Sequence, residues 1–351
     1  MGGCWSPARY PGIGGDSGWR GRGRARVKAV VQEVYGSADT LRFGDIEMPV
    51  IDDDEVLVRV RAAGVDPGVW HLMTGRPYLV RLMGMGVRRP KVSVRGRDLS
   101  GVVEAVGSRV TRFGPGDEVY GVTDVGSFAE YASSGESDLA RKPANLTFEQ
   151  AAAVPVSGMT ALQGVRDVGG VQPGQHVLVI GAAGGVGSFA VQLAHAFGAR
   201  VTGMCSTAKT DLVRSIGADE VIDYTREEVD ARGPRFDLII DTAGRRPLSL
   251  LRRALTPHGT LAIVGGEGGG RWLGGFDRQI LWAPVRSAFS GQRLRAVVAK
   301  ERTEDLEYLT TLIEEGKVTP VIDRTFPLPQ APEAIRYLAQ GHPGGKIVVT
   351  V

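Results

Sequence analysis

One stretch constrains this chain more than any other: His176-Val-Leu-Val-Ile-Gly-Ala-Ala-Gly-Gly-Val-Gly187, followed by Ser-Phe-Ala-Val-Gln-Leu-Ala. It reads as a buried strand, a glycine turn and an apolar helix. Set against G-x-G-x-x-G, it becomes Ala182-x-Gly184-x-x-Gly187, with alanine in the first place. The first position sits in the tight turn. Gly184 lets backbone approach a pyrophosphate with no Cβ in the way, and Gly187 lets the helix lie close to the sheet. The helix start at Gly184, Gly185 and Val186 then offers free N–H groups and the positive end of the helix dipole to phosphates. Three glycines in four positions cost folding entropy for no packing gain, which points to a ligand rather than to a bare turn.

The surrounding pattern supports a doubly wound sheet. The strand His176–Ile180 is followed by a helix Val186–Phe197, a strand Arg200–Cys205 and a helix Lys209–Ile216. Strands at Val221–Tyr224, Asp237–Asp241, Thr260–Val264 and Leu294–Ala299 come next, with a helix at Leu248–Leu255. Such alternation implies parallel strands with helices on both faces. Before it, Val27 to about Asn145 reads mainly as strands and turns, with one short helix from Pro67 to Gly75. After residue 300 come a helix at Glu304–Glu315, a helix at Ala331–Ala339 and a strand at Lys346–Val351.

A length of 351 residues suits about two domains at ~150 residues each. The 50 glycines follow no Gly-X-Y period, which excludes collagen. No apolar run approaches the ~18 residues of a membrane span, so no membrane partner is expected. Two cysteines, Cys4 and Cys205, exclude a disulfide framework and a four-cysteine zinc lobe, and point to a reducing, cytoplasmic setting. Residues 1–26 carry a net charge of +4, and the remaining 325 carry 37 basic and 38 acidic side chains. The basicity therefore belongs to a Gly/Arg-rich extension expected to be disordered, and no nucleic-acid partner is expected of the body. The competing reading of that extension is an RNA-touching arm.

The second strand of the alternating region, Arg200-Val-Thr-Gly-Met-Cys205, ends without the acidic residue that would hold an adenosine ribose. Ser206, Thr207 and Lys209 follow instead, and Tyr224 ends the third strand. Hydroxyls and an ammonium there suit a 2′-phosphate. The expected cofactor is NADP(H) rather than NAD(H).

Four stretches together resemble the medium-chain dehydrogenase/reductase superfamily, most closely its zinc-free quinone oxidoreductase branch of the zeta-crystallin type. They are Ala62–His71; Gly96–Gly107 with Phe113–Val119; Ala151–Ala161; and the glycine turn through Gly217-Ala-Asp-Glu-Val-Ile-Asp-Tyr224. The resemblance implies an α/β fold in which a Rossmann doubly wound parallel sheet, residues 147–300, is inserted in a mainly-β GroES-like catalytic domain, residues 27–146 plus 301–351. It implies NADPH-dependent reduction of quinones and α,β-unsaturated carbonyls, and a homodimer joined along the strand Leu294–Ala299. Residues matching Ser206, Lys209 and Tyr224 contact the 2′-phosphate in the family. Thr160 matches a threonine near the nicotinamide amide, and Lys346 a lysine close to the cleft. Gly265, after the strand Thr260–Val264, joins Gly184, Gly185 and Val186 as a cofactor-binding candidate.

No metal is expected. The positions matching zinc ligands are Asp66, Arg97, Asp98 and Val156, which include neither cysteine nor histidine. Two aspartates beside an arginine make a poor zinc site. The cofactor carries the hydride, so the protein aligns the reactants and supplies a proton. The candidates on the first-domain loop are Asp66, where the branch usually has Asn; His71, matching a relay histidine of the zinc relatives; and Tyr78, a donor to a carbonyl oxygen or an apolar gate. Val69, expected to face the same cleft, stands where the branch usually has Asp. Leu79–Gly86, Trp272, Phe276, Trp282 and Phe289 are candidate walls for a small quinone, enone or aldehyde, with a dimer interface as the other reading of the aromatics. Two other functions stay open: an NADP alcohol dehydrogenase, and a non-catalytic NADPH-binding protein.

Overall fold

The computed structural model describes residues 25–351 apart from 79–80, 232, 234, 266–271, 273, 276–281, 284–286, 288–290 and 342, and at 83–84 the backbone alone. The expected disorder of residues 1–24 therefore lies outside the described residues. Ala25 and Arg26 belong to the fold. β1 (Arg26–Val31) pairs antiparallel with β2 (Arg42–Glu47), Arg26 facing Glu47.

The first large sheet is built from β3 (Glu55–Val65), β4 (Asp98–Val106), β5 (Glu118–Val122), β6 (Tyr131–Gly135) and β7 (Leu139–Arg141). β3 is nearly all buried, because it takes β4 along one edge and both β6 and a distant strand along the other. Between β3 and β4 runs α1 (Pro67–Thr74). The Asp66 carboxylate accepts from the Gly68 N–H at 2.7 Å, Pro67 opens the helix and left-handed Gly75 closes it.

Two short helices, α2 (Phe148–Ala152) and α3 (Pro155–Leu162), lead into the second sheet. A single helix over Gly158–Val168 is expected from sequence. In the structure α3 ends at Leu162, and a π-helical turn, Gln163–Val168, completes the segment. There follow β8 (His176–Ile180), α4 (Gly185–Ala196), β9 (Arg200–Cys205), α5 (Thr210–Ser215), β10 (Glu220–Asp223), β11 (Phe236–Asp241), α6 (Leu248–Ala254), β12 (Leu255–Ile263) and β13 (Arg293–Ala296). All pairings are parallel, in the order β10-β9-β8-β11-β12-β13. This is the 3-2-1-4-5-6 order of a dinucleotide-binding sheet, whose ligand crevice opens where the order reverses, beside β8.

The chain then returns to the first sheet through α7 (Thr303–Glu314), β14 (Ile322–Pro327), α8 (Ala331–Ala339) and β15 (Lys346–Thr350). β15 is parallel to β14 and antiparallel to β3, with Ile347 opposite Val65. The two sheets share one apolar core, in which Tyr120 from β5 packs with α3, α4 and α7. Its buried hydroxyl lies 2.8 Å from the Leu306 carbonyl and 2.9 Å from the Thr310 hydroxyl.

Candidate active site

The turn after β8 is tighter than the spacing indicated. The left-handed residue is Gly181, with φ of 78°, and not Ala182, which is fully buried. The sequence alignment passed over Gly181 because the pattern begins one residue later. A Cβ on Gly187 would run into the Gly181 carbonyl, so helix and strand meet there through backbone alone. A Cβ on Gly184 would meet only that carbonyl oxygen, at 3.3 Å, and nothing else within 4 Å. Space is thus kept open in front of Gly184, at the N-terminus of a twelve-residue helix, as a phosphate requires. Gly265 is glycine for a different reason. Its Cβ would strike the Thr242 carbonyl, and its N–H donates to the Asp241 carbonyl at 3.0 Å.

A Cβ on Gly185 would fall 2.9 Å from Lys346 Cδ and 3.3 Å from Ser157 Oγ. Lys346 thus lies directly against the start of α4. Its ammonium is 2% exposed and donates to Asp98 Oδ2 at 2.9 Å, and Asp98 is 0% exposed. The other Asp98 oxygen accepts from the Val156 N–H at 3.0 Å. Burial pushes the Asp98 carboxyl above the usual carboxylate range; the Lys346 ammonium opposes that shift and the Asp66 carboxylate adds to it. Thr160, on the adjoining turn of α3, donates to the Val156 carbonyl at 2.6 Å. One ion pair therefore joins β4, β15, α3 and α4 at the crevice. Asp98 drew attention in the sequence only as a zinc-ligand position; its partner lies 248 residues away.

Asp66 closes one side of this group. It is 6% exposed, and its Oδ2 has no hydrogen-bond partner among the described residues. Beside it Arg97 is ion-paired with Glu301 at 2.6 Å and with Asp124 at 2.9 Å. Nearby Asp138 is raised to about 6, first by burial and then by Glu301 and Asp124. A folded-state value above the unfolded 3.8 means that the native state holds the extra proton. The resulting stability is full below about pH 4 and lost as the pH rises through about 6. Asp138→Asn should thus melt higher than the parent at pH 7.5, by on the order of 1 kcal/mol after allowing for solvent screening. The two should melt alike at pH 4. Thermal denaturation at both pH values checks this, and an equal offset at both would place the cause elsewhere.

The loop candidates separate. Val69 is fully buried in the core beneath β1 and α8, so it does not face the cleft as expected. His71 sits in the last turn of α1, and its Nδ1 lies 2.7 Å from the Arg76 carbonyl oxygen. A carbonyl only accepts, so Nδ1 carries the proton in the neutral ring. Tyr78 meets Trp272 edge to face at 5.4 Å, and the Arg81 guanidinium lies 4.9 Å from its ring centre. The loop after β12 thus reaches the first sheet's loop at Tyr78. Trp282 is exposed, and Phe276 and Phe289 lie outside the described residues.

Ser206 and Tyr224 come together at the carboxyl ends of the neighbouring strands β9 and β10, where the Tyr224 N–H donates to the Cys205 carbonyl at 3.1 Å. Lys209 turns toward the C-terminal segment and donates to the Pro343 carbonyl at 2.7 Å. Burial holds its ammonium below the usual lysine range, and Asp323 opposes that shift. Two neighbours escaped the sequence reading. Asp223 accepts from the Thr207 hydroxyl at 2.5 Å, and the Arg246 guanidinium lies 5.6 Å from the Tyr224 ring centre. The run Arg245-Arg246-Pro247 after β11 was the available signal for the second.

The donor set does not suit zinc. Asp98 is taken by Lys346 and Val156, one Asp66 oxygen by Gly68, and Arg97 brings a positive charge. Among the described residues no three His, Cys, Asp or Glu side chains are grouped to hold a metal ion.

Comparison with known proteins gives two family matches: "Alcohol dehydrogenase GroES-like domain" over residues 52–144 and "Zinc-binding dehydrogenase" over residues 216–349. The NADPH-dependent alkenal/one oxidoreductase, chloroplastic, of Arabidopsis thaliana is 34% identical over 337 residues, covering 92% of this chain and 79% of the relative. The 2-methylene-furan-3-one reductase of Solanum lycopersicum is 33% identical over 339 residues, covering 93% and 79%. The structure of the quinone oxidoreductase from Coxiella burnetii superposes with a TM-score of 0.80 at 27% identity, covering 93% of this chain and all of that one.

Proposed function

Since the chain belongs to the medium-chain dehydrogenase/reductase superfamily, in its quinone oxidoreductase branch, we propose that it reduces quinones and α,β-unsaturated carbonyls with NADPH and without zinc. The observation that carries this reading is the Asp98–Lys346 pair. Where the resemblance puts metal ligands, this chain buries an ammonium on the carboxylate, against the start of the phosphate-binding helix. The division of labour follows the two sheets, with residues 147–300 holding the cofactor and residues 27–146 plus 301–351 holding the substrate.

A reduced nicotinamide in the crevice supplies the hydride. The N–H groups of Gly184, Gly185 and Val186 hold the pyrophosphate. Ser206, Lys209 and Tyr224 would hold the 2′-phosphate, and Thr160 would serve the nicotinamide amide. Asp66 Oδ2, buried and unpartnered, takes a hydrogen bond from whatever enters the cleft. His71 relays the proton that must follow the hydride, and Tyr78 donates to the substrate oxygen. The test is oxidation of NADPH with a panel of 1,4-quinones, enones and aldehydes after exhaustive chelation. Turnover that survives chelation supports the reading. Tight NADPH binding without turnover on any member would replace it with a binding protein.

For the cofactor, Lys209→Ala should weaken NADPH by ~1.5–3 kcal/mol, the scale of a charged hydrogen bond, and leave NADH nearly unchanged. Titration calorimetry with both cofactors decides, and equal losses would remove Lys209 from the phosphate site.

We also propose a homodimer across β13, which lies at the sheet edge and so invites pairing. The strand is shorter than the Leu294–Ala299 of the sequence reading, and Val297 is buried in the shared core. The side chain that faces outward is Val298, at 75% exposure. Light scattering should give twice 37.3 kDa, and Val298→Lys should halve it. A mass that does not respond would move the contact to another face. Two cysteines and no helix among the described residues long and apolar enough to cross a membrane support a reducing compartment, the cytoplasm.

A further inference from the structure

The segment between α1 and β4 has a charge pattern of its own. From Pro67 to Arg97 it contains no Asp or Glu, against seven Arg and Lys. Three of these face inward. Arg95 is buried, Arg97 is ion-paired, and Arg81 is stacked 4.3 Å from the Tyr35 ring centre while it donates to the Gly75 carbonyl at 2.8 Å. The other four, Arg76, Arg88, Arg89 and Lys91, are exposed, and no ion pair to a described residue engages them.

The same surface holds apolar side chains in water. Leu82 is 68% exposed, Val87 63%, and Trp272, against Tyr78, 70%. Leu82 and Val87 share one loop with these cations, and Trp272 meets that loop at Tyr78, so apolar and cationic side chains of one segment reach solvent together. The loop tip is held in shape without a partner. The Lys91 N–H donates to the Met85 carbonyl at 3.1 Å, and the Tyr35 hydroxyl lies 2.8 and 2.6 Å from the Met85 and Gly86 carbonyl oxygens.

We propose that this loop docks the protein on an anionic lipid bilayer, with Leu82, Val87 and Trp272 entering the headgroup layer and Arg76, Arg88, Arg89 and Lys91 meeting lipid phosphates. The cations without acids fix the sign of the partner. The protruding aliphatic and indole groups select lipid over a soluble polyanion, because interfacial binding uses both terms at once. The sequence argued against a membrane partner only through the lack of a spanning run, and peripheral contact needs none. The consequence for chemistry rests on the reductase reading above. Tyr78 stands at the base of this surface, so the substrate class becomes apolar quinones and enones that partition into the bilayer.

The test is sedimentation of the full chain with phosphatidylcholine vesicles and with vesicles containing ~30% phosphatidylglycerol, at ~0.1 M and ~0.5 M salt. Binding is expected to the anionic vesicles alone and to weaken with salt. Arg88→Glu with Arg89→Glu should lower it about tenfold or more and leave turnover of a water-soluble quinone unchanged. Leu82→Ser with Val87→Ser should lower it as well. Absence of sedimentation overturns the proposal. So does binding that ignores both double variants and disappears instead on removal of residues 2–24, which would make the arginine-rich arm the contact. Binding that ignores Leu82→Ser with Val87→Ser alone identifies a plain polyanion site, and a changed mass of that variant in light scattering identifies an interface between copies; either overturns it. If vesicle binding behaves as expected and no quinone is turned over, the reductase reading fails and the docking surface stands.

Discussion

Asp98→Ala should cost about 3–5 kcal/mol of stability, because it leaves the Lys346 ammonium buried with no counter-charge. For a chain of this size that lowers the melting temperature by roughly 4–7 °C. The size of the effect follows from the geometry: both side chains are essentially without solvent, so water cannot replace the lost partner. A second variant separates the charge from the packing. Asp98→Leu combined with Lys346→Met removes both charges and keeps volume, and such replacements are often neutral or stabilising. It should therefore melt near the parent temperature and still bind NADPH more weakly, since the side chain against Gly185 has changed. Differential scanning calorimetry with a cofactor titration on each variant is the measurement. If Asp98→Ala melts with the parent, water reaches the pair and the description of a sealed junction is wrong.

Gly184→Val and Gly187→Val should fail in opposite ways, although the residues are three apart. At Gly184 the added atoms enter the open space before the helix, so the fold persists and NADPH affinity falls by about a hundredfold, ~2.8 kcal/mol. At Gly187 the added atoms strike the Gly181 carbonyl, so the helix is forced off the sheet and the protein loses stability, by ~1–3 kcal/mol or more. Titration calorimetry and thermal melts on both variants read the contrast. Normal cofactor affinity in Gly184→Val would take the turn out of the cofactor site.

How much of this was legible in the sequence depends on the reach of each interaction. The β8 turn, the alternation from residue 176 onward and the short helix after Asp66 are local patterns, and each stands in the structure close to where the residues placed it. Even there, Gly181 was hidden, because backbone dihedral angles and not residue spacing decide which glycine must be left-handed. Val69 was misread for a related reason. Its place three residues after Asp66 suggested the cleft, but its side chain packs into the core with Met73, Val30 and Ile335. The junction itself was not legible. Asp98 and Lys346 are each unremarkable in sequence, and only the antiparallel pairing of β3 with both β4 and β15 brings them together. Lys209 follows β9 in a short turn, but its bond to Pro343 depends on how the last fifty residues fold back.

That folding back has a consequence for the order of assembly. The inserted parallel sheet is made from one uninterrupted stretch of chain, so its contacts are short in sequence and can form as that stretch leaves the ribosome. The first sheet is different. β6 covers the first half of β3's second edge, but Ala62–Val65 must wait for β15, nearly 300 residues later, and the same strand delivers Lys346 to Asp98. Until residue 346 emerges, a growing chain therefore holds a finished nucleotide-binding unit beside an open strand edge and a buried carboxylate with no cation. A chain stopped before residue 346 lacks the strand and the ammonium together, and is exposed to chaperones and proteases as one defect.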